Sequence, residues 1–403
     1  MRIAKSSLLV LLAWSGCAVS DDVEGVDERT SDKCEQALSS GFAPAPTSAV
    51  VVNVREKGAA GDGSADDTSA INAAIAGLPS GATLFVPKGT YMINAVTKGV
   101  RLKSDMTLRM AEEAEFKAIP NNTGHYSILT AEAVTNVTIQ GGRLVGDRST
   151  HKGTASVPYT DVFTAAPPVF DQHEWGMGLS ILGSINVTVD GLTASECTGD
   201  GFYISDASGA RINTDIKLCN VVADHNRRTG MSATQVSGML VTDSVFSNTR
   251  GTPLQRGIDL EVNRASESIK DVTIRRSKFF GNGVGSICVY SGNGTNFSGL
   301  IFEENSFFDA RATGVDIGSP RGGVGGSIIR NNSFKGTFWG INLRGSTTGT
   351  QIRGNTFCDV PGPIRNDGVG VPLNSSFEGN AASGNLLNST ACCPQHPSRS
   401  GRL

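Results

Sequence analysis

The chain has 403 residues, 38% hydrophobic and 18% charged, with a formal net charge of -3, 49 Gly and only 15 Pro. Its Lys and Arg residues are spread along the chain instead of gathered in blocks, which argues against a nucleic-acid partner or an anionic-membrane surface. Gly together with abundant Asn, Thr, Ser and Val, and no extended helix-forming stretch after residue 80, favours a large all-β body of short strands and tight turns.

The first twenty residues read as a secretory signal: Arg2 and Lys5, an apolar run from Leu8 to Trp14, then small residues. The apolar run is too short for a membrane span. Ala18-Val19-Ser20 suits ordinary signal peptidase, whereas Ser15-Gly16-Cys17 resembles a bacterial lipobox that would place a lipid anchor on Cys17. Either route predicts an exported protein, extracellular or lipid-anchored at the cell envelope. Residues 21–48 are polar and rich in Pro, Ser and Ala, as in a flexible linker.

The chain changes character at Val50, where a short apolar strand leads into the turn Gly58-Ala59-Ala60-Gly61-Asp62-Gly63. Asp66-Asp67-Thr68 can cap a helix that carries Ile71, Ala74 and Ile75 on one face. The segment from Gly81 to Tyr91 then reads as two short strands around a turn. No Lys-Ser/Thr follows the Gly-rich turn, so a phosphate cradle is discarded and Asp62, Asp66 and Asp67 are read as structural.

A repeat occupies the rest of the chain. Gly178, Gly201, Gly230, Gly257, Ser286, Gly314, Gly340 and Pro363 stand 23 to 29 residues apart. The first seven each open an apolar-x-apolar strand, such as Leu179-Ser180-Ile181, Ile258-Asp259-Leu260 and Ile341-Asn342-Leu343. A second strand shares the period and runs into Phe246, Phe279, Phe307, Phe334 and Phe357. A period in the twenties marks a solenoid, and the alternation sends one set of side chains inward and the other outward. The fold expected is a right-handed parallel β-helix over residues 49–390, with a short N-terminal capping helix and a C-terminal tail at 391–403.

The segment from Val50 to Tyr91, with the repeat behind it, resembles the start of pectate-lyase-superfamily proteins. That group includes polygalacturonase-related hydrolases (glycoside hydrolase family 28-related proteins), alginate epimerases and phage tailspikes. The resemblance implies the β-helix fold, with the Asp62–Thr68 region covering its open end, and points to a polysaccharide partner. Thr198-Gly199-Asp200-Gly201 resembles the first Asp-bearing strand motif of polygalacturonases. Arg227-Arg228 stand where their paired Asp would be, however, and their Gly-His-Gly and Arg-x-Lys motifs are absent, as is the Asp-Pro-His motif of alginate epimerases near Tyr203. Neither specific activity carries over.

The repeat places Ser180, Tyr203, Ser232, Asp259, Cys288, Asp316, Asn342 and Arg365 in one outward column. Leu182, Ser205, Thr234, Glu261, Tyr290, Gly318 and Arg344 form a second. Asp259 and Glu261 share a face at i and i+2, with carboxyl groups about 6–7 Å apart. That lies at the lower edge of the roughly 6.5–9.5 Å separation of an acid and a base that cleave a glycosidic bond with inversion. Asp200 enters the same face two rungs earlier, and Arg227, Arg228 and Arg256 stand at equivalent turns. Arginine grips carboxylate or sulfate in bidentate fashion, which suits an acidic sugar, although pairing with Asp259 and Glu261 competes with that role.

Residues 147–175 interrupt the repeat and carry Asp147, His151, His173, Glu174 and Trp175. Glu174 and His173 are candidates for proton transfer and Trp175 for stacking on a pyranose. Tyr203, Tyr290, Asp316 and Arg344 complete the substrate-binding candidates.

The expected function is a polysaccharide-active hydrolase with Asp259 and Glu261 as acid and base. A lyase or C5-epimerase on a uronate polymer is the alternative, with Arg228, His173 or Tyr203 removing the proton. A non-catalytic carbohydrate-binding surface protein is a third reading. The sequence names no cofactor for certain; plentiful outward acids leave room for calcium, but no ordered calcium loop is legible. None of the eight Cys residues has zinc-type spacing. Cys34 and one of Cys392 and Cys393 could staple the ends, and Cys288 is a candidate buried thiol. Oligomeric state is not readable.

Overall fold

The computed structural model describes residues 48–96, 99–152, 173–206, 211–291, 297–308, 313–366 and 376–383. Over these the chain winds as a coil, and each full rung contributes one strand to each of three parallel sheets of twelve, twelve and ten strands. The first sheet runs from Val51–Asn53 to Ser376–Glu378, the second from Asp62–Asp66 to Ala381–Ser383, and the third from Val100–Arg101 to Gly362–Asn366. This is the parallel β-helix read from the repeat. The signal segment, the linker, the lipobox Cys17, the proposed Cys34 staple and the C-terminal tail lie outside the described residues.

The first helix, α1 (Thr68–Ala76), buries Thr68, Ile71, Ala74 and Ile75. Its two leading acids divide the work expected of them as caps. Asp66 Oδ1 accepts from Thr68 N at 3.0 Å, whereas the Asp67 carboxylate makes no cap bond and instead accepts from Ala60 N and Gly61 N. Asp67 thereby ties the Gly-rich turn down, and Asp62 accepts from Ser64 N and Ala65 N within that turn. All three acids are structural, as read. The strands Thr83–Val86 and Gly89–Ile93 form on either side of their turn but enter different sheets, so the turn is a corner of the coil and not a hairpin.

The third sheet sets Leu179, Phe202, Met231, Ile258, Ile287, Val315, Ile341 and Ile364 directly beside one another, one per rung. Every opening residue is therefore aligned as its spacing requires. Glycine recurs there because the rungs approach closely: a Cβ on Gly230 would lie 2.5 Å from the Gly257 carbonyl oxygen and 3.0 Å from the Phe246 ring.

In the second sheet Phe246, Phe279, Phe307, Phe334 and Phe357 stack with centroids 5.4, 5.0, 4.6 and 4.9 Å apart, all buried. Two residues before each of the last three rings stands a buried asparagine. Asn305, Asn332 and Asn355 each donate Nδ2 to the Oδ1 of the next asparagine, ending on Asn380, at 3.0–3.1 Å. Each also bonds a backbone carbonyl at 2.9 Å, so the corner's buried polar groups are satisfied. Cys197 and Cys288 are buried free thiols, as anticipated for Cys288, while Cys219 is disulfide-bonded.

Candidate functional site

The first outward column forms throughout and the second in part. Ser180, Tyr203, Ser232, Asp259, Cys288, Asp316, Asn342 and Arg365 are consecutive register partners across the third sheet. Glu261 pairs with Tyr290, and Gly318 with Arg344, in the second column. The turn from the second sheet into the third runs beside these columns. On successive rungs it supplies His173 and Glu174, then Thr198 and Asp200, then Arg227 and Arg228, then Thr252 and Arg256. Glu174, Asp200, Arg228 and Asp259 therefore converge, although they come from four rungs.

Asp259 departs from the expected exposed strand acid. Ile258 and Leu260 point into the core and Asp259 points outward, yet its residue is only 1% exposed. Among the described residues its Oδ2 has no hydrogen-bond partner. Burial, and next the neighbouring Glu261, push its carboxyl up to about 7, against the pull of Arg256 and Arg228. Glu261 is half-buried beside it.

The arginines do not pair with Asp259 and Glu261. Arg228 Nη1 donates to Asp200 Oδ2 at 2.8 Å, and Thr229 N donates to Asp200 Oδ1 at 3.1 Å, so the fully buried Asp200 carboxylate is held at both oxygens. Burial acts to lower the Arg228 pKa, but Asp200, Asp259 and Glu174 together raise it, which places that guanidinium electrostatically among all three acids. Arg256, 9% exposed, reaches Asp316 through Nη2 at 3.3 Å, while its Nε and Nη1 have no partner among the described residues. Arg344 clasps Asp316 with Nε at 2.8 Å and Nη2 at 2.7 Å, and Asn342 Nδ2 adds a bond at 3.1 Å. Asp316 and Arg344, read as separate sugar contacts, are thus partners of each other.

Trp175 differs in the same way. Its ring stacks with His125 at 5.7 Å, carries the Arg228 guanidinium at 4.7 Å and meets Tyr203 edge-on at 6.2 Å. It is a platform for the arginine, a use the sequence reading did not anticipate. Tyr203 is half-buried, and burial raises its hydroxyl pKa. Arg227 Nη1 donates to the His173 carbonyl at 3.3 Å. Glu174, 8% exposed, accepts from the Thr252 hydroxyl at 3.4 Å; burial raises its pKa against the opposing effect of Arg228.

The two ends of the 147–175 excursion meet. His151 Nδ1 lies 2.9 Å from Asp147 Oδ2, and His151 Nε2 lies 3.2 Å from His173 Nδ1. Tyr126 donates its hydroxyl to the other Asp147 oxygen, and its own oxygen lies 2.8 Å from Thr198 Oγ1. Burial, and then Asp147, hold the Tyr126 hydroxyl pKa well above its usual range. Sequence reasoning singled out His173 but missed Tyr126, whose only signal was an aromatic opening a strand one rung before the excursion. The intervening residues 153–172 lie outside the described set. Among the described residues no group of three or more His, Cys, Asp or Glu is arranged to hold a metal ion, and of the four acids on this face Asp200 and Asp316 are held by arginine while Asp259 and Glu261 are not. No helix among them is long and apolar enough to cross a membrane.

In an alignment that covers 74% of this chain, it is 27% identical to YclG, an uncharacterized protein of Bacillus subtilis (strain 168). In an alignment that covers 51% of this chain, it is 30% identical to YorA, an uncharacterized SPbeta prophage-derived protein of the same organism. The chain spans 57% and 37% of the lengths of these relatives. Three examples represent the solved structures that share the fold. The Bacteriophage Phi29 gene product 12 N-terminal fragment has a TM-score of 0.59 at 18% identity, covering 83% of this chain and 57% of that one. A hyperthermoactive exopolygalacturonase from Thermotoga maritima has 0.54 at 15%, covering 88% and 95%. The mannuronan C-5 epimerase AlgE4 A-module of Azotobacter vinelandii has 0.53 at 18%, covering 82% and 100%.

A right-handed β-helix family model matches residues 177–357, and the model of rhamnogalacturonase A/epimerase, pectate lyase-like proteins matches residues 51–252, half of the chain. The chain belongs to the rhamnogalacturonase A/epimerase, pectate lyase-like family, a polysaccharide-related group of parallel β-helices.

Proposed function

We propose that this protein hydrolyses glycosidic bonds in an acidic extracellular polysaccharide, acting after export, with Asp259 as the proton donor and Glu261 as the base. The observation that carries the reading is the state of Asp259: an outward carboxyl, enclosed, with an unpartnered oxygen, pushed up to about 7 beside a second carboxyl on the same face. A general acid must hold its proton near working pH, and burial supplies that condition here. Asp259 gives its proton to the glycosidic oxygen as the bond to the anomeric carbon breaks. Glu261 takes a proton from the water whose oxygen bonds that carbon, so the configuration inverts. Arg256, whose Nε and Nη1 are unpartnered among the described residues, suits a sugar carboxylate next to the reacting bond. Asp200 and Arg228 hold the charge pattern around Asp259, and Glu174 lines the same turn.

A second reading has one observation in its favour. The Asp147–His151–His173 chain is arranged to support a base, as proton abstraction beside a uronate carboxylate would require in a lyase or epimerase. Incubating the protein with neutral and acidic polysaccharides while following reducing ends and ultraviolet absorbance separates the two. Reducing ends without absorbance, lost in Asp259→Asn, are expected. Absorbance from unsaturated ends, or activity undiminished in Asp259→Asn, would overturn the hydrolase assignment.

A further inference from the structure

A cavity of about 350 Å³ opens at the N-terminal end of the same turn, lined by Asn94, Val96, Pro120, Asn121, Asn122 and Lys152. Asn94 and Val96 belong to the rung that leads to Val100–Arg101, and Asn121 and Asn122 to the next, which leads to His125–Glu132. The following rungs bring Glu174, Asp200 and Arg228, so the cavity and the acid cluster lie along one line parallel to the helix axis. Four to five rungs separate Asp259 from the cavity, ~19–24 Å at the usual strand spacing. That distance corresponds to several sugar units.

The walls are fixed by the buried network of the site. Asn121 N and Nδ2 each donate to Asp147 Oδ2 at 3.0 Å, Asn121 Oδ1 accepts from Thr123 N at 2.8 Å, and Lys152 N donates to the Asn121 carbonyl at 2.8 Å. The same Asp147 is bonded by Tyr126 and His151. Two groups at the mouth are not consumed by this scaffold: among the described residues neither the Lys152 ammonium nor the Asn122 amide has a hydrogen-bond or ion-pair partner, and both residues are exposed. A cation and an amide above an apolar edge of Val96, Ile119 and Pro120 match a pyranose that carries a carboxylate, with hydroxyls for the amide and a C–H face for the apolar side chains.

We propose that this cavity is a distal subsite that holds an acidic sugar unit of the same polymer whose cleavage is proposed at Asp259, so that the protein recognises chain length as well as charge. The proposal rests on the polysaccharide reading of the site, and its test separates the two.

Binding is measured by calorimetry on the full-length Asp259→Asn chain with oligogalacturonides from dimer to octamer, and turnover of the same series is measured on the unaltered chain. Affinity should rise about tenfold once an oligomer is long enough to reach from Asp259 to the cavity. Adding Lys152→Glu or Asn122→Ala should flatten that rise, whereas Lys335→Glu, at an exposed strand position remote from the cavity, should leave it intact. No rise with length, a rise that survives Lys152→Glu, or no binding by any oligomer would overturn the distal subsite. A rise abolished by Lys152→Glu without hydrolysis by the unaltered chain would leave the subsite standing and overturn the hydrolase; hydrolysis without the rise would do the reverse.

Discussion

Replacing Asp259 by Asn tests the electrostatic argument and the chemical one together. In the folded chain the carboxyl is pushed up to about 7 from the ordinary 3.8 by burial and by Glu261. That difference corresponds to on the order of 4 kcal/mol against the ionised form in the native state. Between these two values the folded protein keeps a proton that the unfolded chain has released, so stability is fully present below about pH 4 and is lost as pH rises towards 7. Asn cannot ionise, so the variant lacks this loss. Its stability relative to the unaltered protein should increase by on the order of 2–3 kcal/mol between pH 5 and pH 8. Urea unfolding of both proteins at the two pH values, followed by circular dichroism, gives the comparison. The same substitution removes the proposed proton donor and should lower turnover by about 100-fold or more on the polymer that the unaltered chain cleaves. A variant that gains nothing in relative stability with rising pH would refute the enclosed, proton-holding carboxyl. A variant that gains stability but cleaves normally would keep the electrostatics and refute the chemistry.

Arg228→Met removes the partner of the fully buried Asp200 and the cation resting on Trp175. It should cost about 3–5 kcal/mol in urea unfolding, because an uncompensated carboxylate remains enclosed; a loss below 1 kcal/mol would show that the pair is dispensable. Phe307→Ala, at the centre of the aromatic stack, should destabilise by about 3–5 kcal/mol without altering sugar binding, since its ring lies in the core behind the second sheet. Gly230→Ala places a methyl 2.5 Å from the Gly257 carbonyl and should lower the thermal midpoint; an unchanged midpoint would contradict the close approach of the rungs. Asn332→Ala should destabilise by about 1–3 kcal/mol for each buried group left unbonded, the Phe302 carbonyl among them.

The fold was legible because a solenoid makes spatial neighbours of residues one period apart. Gly178, Gly201, Gly230 and Gly257 could be aligned by counting, and each strand then found its partner by the same count. The outward columns followed from strict alternation about Ile258, Leu260 and their equivalents. The repeated Asn-Ser/Thr-Phe at Asn305, Asn332 and Asn355 marks the recurring Phe by its period, whereas the asparagine ladder two positions earlier is not legible from it. A polar residue at a regular interval reads equally as a turn former and as a buried hydrogen-bonding element.

The coil, its register and the set of side chains that share the outer face are written in the order of residues, because those depend on period and alternation alone. What each side chain does is settled by packing between rungs. Arg228 selects Asp200, Arg344 and Arg256 converge on Asp316, and Asp259 is left enclosed with an unpartnered oxygen among the described residues. Trp175 is occupied by His125 and Arg228, and His151 meets His173 across a 22-residue separation. These outcomes depend on which side chains reach one another from neighbouring rungs and on how much water is excluded between them, and neither is encoded in the spacing of any single strand.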